Sequence, residues 1–219
     1  FKLGRGHYRC WKKSGHGSVN LHDALVQSCD VYFYTIGHRL GIDTIAKYAK
    51  RFGLGSSTRL GLSQEKRGLV PTTQWNLLNK KEPWLLGETI SASIGQGFNL
   101  VTPMQQVSMI SAVANGGMLL KPYLVKRIEE PEGKIRREFF PNIVSQLGAN
   151  PEHLEQIRRA LRDVVNGNRG TAKRSRLKNI IVSGKTGTAQ VVRMKSNEEL
   201  EKGEAIPVKY RDHAWFLAF

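Results

Sequence analysis

The sequence predicts an α/β or α+β sandwich in which helices cover an antiparallel sheet. Three observations support that fold class. Hydrophobic residues make up 40% of the 219 positions, which is enough for a packed core and too many for a disordered tail. Helical patterns come first, a glycine-rich middle follows, and strand patterns with one inserted helix come last. The chain has no internal repeat, and no apolar run approaches the ~20 residues that a membrane-spanning helix needs.

Helical patterns dominate residues 20–53, after an irregular, basic start. Asn20 can cap a helix that carries apolar or small residues at three- and four-residue steps, namely Leu21, Ala24, Leu25 and Ser28. A second apolar face runs through Val31, Tyr32, Tyr34, Thr35 and His38. Asp43 is expected to cap a third helix over residues 44–52, which Gly53 ends. The tripeptide Ser28-Cys29-Asp30 falls where the first helix gives way to the second.

Residues 54–100 show no sustained period, and glycine and proline interrupt them repeatedly. This pattern is typical of a long structured loop over a site. Thr102-Pro103 then opens a helix, because threonine can cap it and proline fits its first position. The face expected to be buried comprises Met104, Val107, Ile110, Ser111 and Ala114, and Asn115-Gly116-Gly117 ends the helix.

Strand patterns fill most of the remaining chain. Residues 118–128 and 135–140 are predicted to pair through a turn at Pro131–Lys134. Asn150-Pro151 opens a helix whose apolar positions are Leu154, Ile157, Leu161 and Val164, and Gly167 closes it. The last predicted strands cover residues 180–182, 188–192 and 214–219. Phe219 ends inside an apolar run, so we expect the sequence to be part of a larger protein.

Charge and cysteine content narrow the function classes. Lys and Arg number 34 against 18 Asp and Glu, a net charge of +16, which favours an anionic neighbour such as nucleic acid, a membrane surface or an acidic polymer. The basic residues are scattered in pairs and form no continuous stripe, so a basic nucleic-acid-binding module is the remote alternative. Two cysteines are too few for a disulfide framework.

The segment Ser183–Thr188 contains Lys185-Thr186-Gly187, the strongest local motif. A phosphate-binding loop is excluded because Asn179 stands where its first glycine belongs. Lys-Thr-Gly on an active-site strand is the better interpretation. Lys185 would bring a fixed positive charge to a proton relay, and Thr186 would bind a carboxylate. Gly187 would let a peptide lie against the strand edge.

Several motifs occur together in an order that is more specific than any one of them. They are Gly15-His16-Gly17, Ser28-Cys29-Asp30 with Val31–Tyr34, Gly95-Gln96-Gly97, Ser183–Gln190 and Asp212–Phe216. In order and spacing the chain resembles the transpeptidase domain of class B penicillin-binding proteins, and most closely the elongation-type branch, penicillin-binding protein 2. The resemblance covers nearly the whole chain and implies the penicillin-binding transpeptidase and serine β-lactamase-like fold.

The resemblance also implies an activity: a serine attacks the penultimate D-alanine of a peptidoglycan stem peptide, D-alanine leaves, and a neighbouring amine resolves the acyl-enzyme. The implied catalytic residues are Ser28 as proton shuttle, Asp30, which stands where the family more often has Asn, and Lys185. The implied substrate-binding residues are Thr186, Gly187 and Thr188, the last with its N–H in the oxyanion hole. The implied partners are stem peptides, β-lactams, and a glycosyltransferase and scaffold proteins of the elongation machinery. The implied location is the periplasmic face of the inner membrane.

One family element, the nucleophile motif Ser-x-x-Lys, should precede Ser28 by some tens of residues. We expect this motif to lie before residue 1, so that residues 1–219 form a partial transpeptidase domain without the nucleophile. We also expect the sheet to end after Phe219. Two other matches, Ser63–Lys66 and Ser175–Lys178, do not open a buried helix and are rejected. A serine β-lactamase or a penicillin-sensing domain of the same fold is the nearest alternative function.

A second constellation consists of Cys10, His16 and Cys29. On spacing alone, a buried free thiol, a Cys10–Cys29 disulfide and a metal site all stay open. Some elongation-type members of the family that this chain resembles have a zinc site near the Ser28-Cys29-Asp30 motif. Their zinc ligands include a histidine and a cysteine at the positions of His16 and Cys29. Where they have an aspartate, this chain has Cys10. The resemblance therefore implies a structural zinc on these three residues.

Overall fold

The computed structural model describes residues 1–191 and 207–219. Helices and strands occur in the order β1 (Lys2–Leu3), β2 (Gly6–His7), α1 (Leu21–Val26), α2 (Asp30–Leu40), α3 (Ile42–Arg51), α4 (Thr73–Lys80), α5 (Leu86–Ala92), α6 (Pro103–Ala114), β3 (Met118–Lys121), β4 (Arg127–Glu129), β5 (Ile135–Glu138), β6 (Asn142–Gln146), α7 (Pro151–Asn166), β7 (Gly184–Ala189) and β8 (His213–Ala218). No helix in the described ranges is long and apolar enough to cross a membrane.

All strand pairs in the described part of the chain are antiparallel: β1 with β2, β3 with β6, β4 with β5, and β7 with β8. The predicted combination of helices with antiparallel strands is therefore confirmed. The β7–β8 pair has six residues in register, from Gly184 opposite Ala218 to Ala189 opposite His213. Reciprocal backbone bonds between Ser183 and Phe219, both 2.8 Å, extend the ladder by one more pair.

The core lies around α7. Its buried positions, Leu154, Ala160, Leu161, Val164 and Val165, follow the three- and four-residue spacing of one helix face. All of them except Ala160 pack in three clusters with residues of α6, β3 and the segment after α7. The same helix also contacts α1 and β7; Ser28 follows α1 by two residues, and β7 carries Lys185. Helix α7 therefore supports both elements that carry the predicted catalytic residues.

Capping signals predicted several helix boundaries correctly. The side chain of Asn20 accepts from the Asp23 N–H at the start of α1, and that of Thr102 accepts from the Gln105 N–H at the start of α6. Helix α7 begins after Asn150 and ends at Gly167, as predicted. Ser28 and Cys29 lie between α1 and α2, and Asp30 begins α2, so the tripeptide falls where one helix gives way to the next, as predicted.

Other boundary predictions were wrong. Helix α3 begins after Gly41, and Asp43 lies in its first turn, where its carboxylate accepts from the Thr73 N–H and hydroxyl instead of capping the helix. The segment 54–100 contains α4 and α5, which a search for long apolar periods misses because they have only 8 and 7 residues. Buried Asn76 on α4 donates to the Glu82 and Pro83 carbonyls in the segment that leads to α5.

The strand predictions were right in kind and inexact in position. Residues 118–128 divide into β3 and β4, and β6, which was not predicted, pairs with β3. The turn at 131–134 does join β4 to β5. Residues 180–182 are not in a strand, the strand predicted from residue 188 begins at Gly184, and its predicted end at position 192 lies outside the described residues. On α6, Val107 is exposed, whereas Gln105, Ile110, Ala112 and Val113 are buried.

Candidate active site

The turn at Ser28 ends α1 in an unusual way. The Cys29 N–H bonds to the Ala24 carbonyl and the Ser28 N–H to the Leu25 carbonyl, the pair of bonds that defines a Schellman helix end. The left-handed residue of that motif is usually glycine, but here it is Ser28, with φ +52°. A non-glycine residue in this region stores backbone strain. The chain therefore accepts a strained backbone at a position that carries a hydroxyl.

That hydroxyl meets Lys185 across the cleft. Lys185 Nζ lies 2.5 Å from Ser28 Oγ and 3.0 Å from the Thr186 carbonyl oxygen, and it donates to both. The two residues are 157 positions apart in sequence and lie on different elements. Folding thus brings together two of the three predicted catalytic side chains in one hydrogen bond.

The environment of Lys185 changes its protonation. Burial lowers the pKa of its ammonium from 10.5 to about 8, and the nearby Asp30 carboxylate opposes that shift. The sequence suggested a fixed positive charge, but a pKa of about 8 means that this lysine titrates close to neutral pH. Lys185 can therefore both give and take a proton, which is what a relay requires.

Asp30, the third predicted catalytic residue, begins α2. Its Oδ2 accepts from the Trp11 backbone N–H at 3.0 Å. The Trp11 indole N–H in turn donates to the Ser28 carbonyl at 2.8 Å and to the Gln27 carbonyl at 3.2 Å. Trp11 therefore holds the segment on both sides of Cys29. From the sequence, Trp11 is expected to be a packing residue or a loop anchor, and no spacing pattern links it to Ser28 or Asp30.

The strand β7 forms the opposite side of the cleft. The hydroxyl of Thr186 lies 3.0 Å from that of Thr171, in the segment that follows α7. The Thr188 carbonyl accepts from Gln96 Nε2 at 2.6 Å, so the Gly95-Gln96-Gly97 motif is tied to this strand. Thr171 was not singled out from the sequence, because its neighbours Gly170 and Ala172 give no active-site pattern.

The two glycines of β7 have different surroundings. A Cβ at buried Gly184 would lie 2.6 Å from the Leu217 carbonyl oxygen and 2.9 Å from the Phe216 ring, which is too close. A Cβ at exposed Gly187 would meet only Trp215 Cβ at 3.7 Å, an ordinary contact. Gly184 is thus required by the β7–β8 packing. At Gly187 the protein itself has room for a side chain, which is consistent with a surface that an extended peptide covers.

All six predicted catalytic and substrate-binding residues line one cleft of about 1070 Å³: Ser28, Asp30, Lys185, Thr186, Gly187 and Thr188. The two rejected Ser-x-x-Lys matches lie elsewhere. Ser63 is in an exposed turn, and Ser175 ends a short 3-10 turn at 173–175. Neither opens an α-helix, and neither is among the residues that line the cleft.

Cys10, His16 and Cys29 also come together, beside this cleft. Their ligand atoms all lie within 4.8 Å of one another, and Cys10 Sγ is 3.4 Å from His16 Nδ1. Both thiols are free, and burial is the main cause that raises the pKa of Cys29 and lowers that of His16. The glycines on either side of His16 have φ of +72° and +66°, which lets the irregular segment fold back onto the turn at Cys29.

A Lys-Thr-Gly strand that faces a serine turn across a cleft is shared by penicillin-binding proteins and serine β-lactamases. Within that class, the chain belongs to the penicillin binding protein transpeptidase domain family, whose model matches residues 1–219. Curated relatives include the peptidoglycan D,D-transpeptidase MrdA of Haemophilus influenzae, 35% identical over 218 residues that cover 97% of this chain and 32% of the relative. MrdA of Escherichia coli K12 is 33% identical over 213 residues, 97% of this chain and 33% of the relative.

Solved structures give the same result. PBP2 of Pseudomonas aeruginosa in complex with WCK 5153 has a TM-score of 0.80 and 32% identity, and the match covers all of this chain and 46% of that one. PBP2 of Helicobacter pylori in complex with MreC has a TM-score of 0.80 and 32% identity, over all of this chain and 37% of that one. The chain spans about a third of the length of the curated relatives that it matches.

Proposed function

We propose that this chain is part of a peptidoglycan D,D-transpeptidase of cell elongation, which cross-links stem peptides through a serine acyl-enzyme and is a target of β-lactams. The observation that carries this proposal is the Lys185–Ser28 contact at 2.5 Å. This contact connects the Lys-Thr-Gly motif to the Ser-x-Asp motif, so that a proton can pass from one to the other. The MrdA relatives, named as D,D-transpeptidases, support the reaction class.

The residues of the cleft divide the reaction between them. When a serine Oγ attacks the penultimate D-alanine carbonyl, its proton passes through Ser28 and Lys185 to the amine of the departing D-alanine. Thr186 donates to the terminal carboxylate of the donor peptide, which lies along β7 at Gly187. The Thr188 N–H stabilises the oxyanion. The acceptor amine of a second stem peptide then attacks the acyl-enzyme ester; the new amide bond forms as the ester C–O bond breaks, and the amine proton returns along the same path to the serine Oγ.

The attacking serine is proposed to come from a Ser-x-x-Lys segment outside residues 1–219. Ser63 and Ser175 lack the helix start that places serine and lysine on one face. By the same family membership we propose an inner-membrane enzyme whose catalytic face is periplasmic. A polymerising glycosyltransferase and a scaffold protein are the proposed partners, and the solved complex of a relative with MreC supports the scaffold.

The test is to incubate the full-length protein with a fluorescent penicillin and a stem-peptide donor. We expect one stable penicillin adduct per molecule, mapped by mass spectrometry to a serine outside residues 1–219, and D-alanine release that an added acceptor amine accelerates. Rapid penicillin hydrolysis without a lasting adduct would instead identify a β-lactamase. An adduct on Ser63 or Ser175 would contradict the assignment of the nucleophile.

We further propose that Cys10, His16 and Cys29 hold a structural zinc ion, with a fourth ligand from the rest of the protein or water. Thiolate and imidazole are the ligands that zinc prefers, and a tetrahedral zinc separates such ligands by roughly 3.5–3.8 Å. Separations within 4.8 Å need only small side-chain adjustments. His16 Nε2 is buried and has no hydrogen-bond partner among the described residues, so a free ring nitrogen is available here.

The role of this zinc would be to position the Ser28 turn. Cys10 is followed directly by Trp11, which bonds to Asp30, Gln27 and Ser28, and Cys29 lies between Ser28 and Asp30. Fixing Cys10 to Cys29 through a metal therefore holds Trp11 against the carbonyl of Ser28 and the carboxylate of Asp30. The metal would supply rigidity at the catalytic turn, and no proton or substrate step passes through it.

Elemental analysis and thiol titration of the full-length protein test this site. We expect about one equivalent of zinc per protein molecule. His16→Ala should abolish zinc binding and lower the melting temperature by several degrees. The exposed His153 on α7 provides a control, since His153→Ala should keep the zinc. A metal-free wild type without titratable thiols would show a Cys10–Cys29 disulfide and refute the proposal.

A further inference from the structure

The hydroxyl pair Thr171–Thr186 connects the cleft to a segment that the family motifs do not include. Thr171 lies just after α7, lines the cleft and is half-buried, and its Oγ1 is 3.0 Å from Thr186 Oγ1. We propose that Thr171 is a positioning residue that sets the direction of the Thr186 hydroxyl and so the preference of the site for substrates with a free carboxylate. The inference rests on the proposed function, because it concerns how the donor peptide or penicillin is recognised.

The backbone holds Thr171 from two sides. Its N–H donates to the Val26 carbonyl at 3.3 Å, at the end of α1 and two residues before Ser28. The Ala172 N–H donates to the Val164 carbonyl of α7 at 3.0 Å. Preceding Gly170 is buried so closely that a Cβ there would lie 2.2 Å from the same Val164 carbonyl oxygen. The position of the Thr171 hydroxyl is thus fixed relative to α1, α7 and β7 together.

Hydrogen-bond counting then fixes the direction of the pair. A hydroxyl has one proton to donate and two lone pairs that accept, whereas a carboxylate only accepts. If Thr186 donates its proton to a substrate carboxylate, it can take part in the contact with Thr171 only as acceptor. Thr171 must therefore be the donor, and the chain runs from Thr171 through Thr186 to the carboxylate.

This arrangement acts most strongly on a charged acceptor. Hydrogen bonds to an ionised group are roughly twice as strong as neutral ones, and each bond in a chain polarises the next. Without the Thr171 proton, the half-buried Thr186 oxygen loses its donor and its own proton is no longer directed at the substrate. The resulting loss of binding by Thr186 should be larger for a substrate with a carboxylate than for one with an ester at the same position.

The experiment compares acylation of the full-length protein by a penicillin and by its methyl ester. In Thr171→Val, which keeps the shape and removes the hydroxyl, we expect the second-order acylation rate with the penicillin to fall about fivefold to tenfold, the scale of one hydrogen bond between neutral groups. The rate with the ester should fall less than about twofold. Thr171→Ser, which restores the hydroxyl, should recover the wild-type ratio of the two rates.

Thr186→Val provides the second half of the test. It should lower the same ratio, and adding Thr171→Val to it should change the ratio no further, because the two hydroxyls act in series. Equal slowing of penicillin and ester in a folded Thr171→Val protein, or an unchanged ratio, overturns the inference while leaving the proposed function in place. A wild-type protein that penicillin does not acylate overturns both.

Discussion

The two walls of the cleft are built differently. The loop wall, residues 8–30, has little regular structure near the site: it depends on the bonds of Trp11 and on Ser28 with φ +52°. The strand wall, β7 with β8, is a ladder of six residue pairs continued at Ser183 and Phe219. The β7–β8 ladder holds a long strand edge rigid, and an extended peptide can bind along such an edge. The irregular turn instead places the single Ser28 hydroxyl in a direction that a helix or strand would not allow. In the proposed function, the strand wall recognises the substrate, and the contact between the walls transfers the proton.

The largest effect on the acylation rate is expected from removing Lys185, the strand-wall side chain that contacts Ser28. Lys185→Ala should slow acylation of the full-length protein by a fluorescent penicillin about a hundredfold or more, because the proton path through Ser28 is interrupted. Stopped-flow fluorescence gives the rate. The exposed Lys178, seven residues earlier, is the matched control, and Lys178→Ala should leave the rate unchanged. A folded Lys185→Ala protein with near-normal acylation contradicts the role of this lysine.

The lowered pKa of Lys185 should also appear in stability. Because its pKa is about 8 when folded and 10.5 otherwise, the unfolded state binds more protons between those values. The contribution of Lys185 to the free energy of unfolding should therefore rise with pH from about 8 to 10.5, by about 3 kcal/mol. Urea unfolding at several pH values measures this. In Lys185→Met this increase in the free energy of unfolding with pH should be absent, and in the control Lys178→Met it should remain. If wild type and Lys185→Met show the same dependence of unfolding free energy on pH, the Lys185 ammonium is not destabilised by burial.

The glycines of β7 separate the structural and the recognition roles of the strand wall. Gly184→Ala should destabilise the protein by about 2 kcal/mol, since its Cβ would press on the Leu217 carbonyl and the Phe216 ring. Gly187→Ala should cost little stability, yet slow acylation, because its Cβ would stand where the substrate lies. Thermal unfolding and penicillin acylation of both variants provide the comparison. If Gly187→Ala acylates normally, a substrate does not cover this part of the strand.

The smallest effect is expected on the loop wall, and it is a difference in stability. Ser28→Gly relieves the positive φ and should be about 1 kcal/mol more stable than Ser28→Ala, which loses the same hydroxyl and its bond to Lys185; acylation should fall in both variants. Lys81, with φ +61° at the end of α4, is the matched control: Lys81→Gly should stabilise similarly and leave acylation unchanged. A Ser28→Gly protein that is no more stable than Ser28→Ala would show that the turn is not strained.

Local signals in the sequence predicted the strand wall better than the loop wall. Lys-Thr-Gly lies on a strand as expected, because a strand edge and its residues are contiguous in sequence. The contacts of Trp11 with Ser28 and of Thr171 with Thr186 were not predicted, because each is a bond between residues 15 or more positions apart, which no short motif encodes. Asp43 looks like a cap from its position before Thr44, but Gly41 begins that helix and Asp43 pairs with Thr73 instead.

The helices show the same limit. Asn20, Thr102-Pro103 and Asn150-Pro151 predicted where helices start, since a cap satisfies backbone N–H groups within three residues. Helices α4 and α5 were missed because they are short and tertiary contacts hold them, including the rings of Trp75, Trp84 and Phe98. Tertiary packing of this kind is not visible in hydrophobic periodicity.

The central claim is that Ser28 and Lys185, one from each wall, act as a single proton path. A double-mutant cycle on the acylation rate of the full-length protein tests it most directly, with Ser28→Ala, Lys185→Ala and the double variant. If the two act as one unit, the double variant should react within about twofold of the slower single variant. If the two losses multiply instead, Ser28 and Lys185 act independently, and the account of the contact between the walls is wrong.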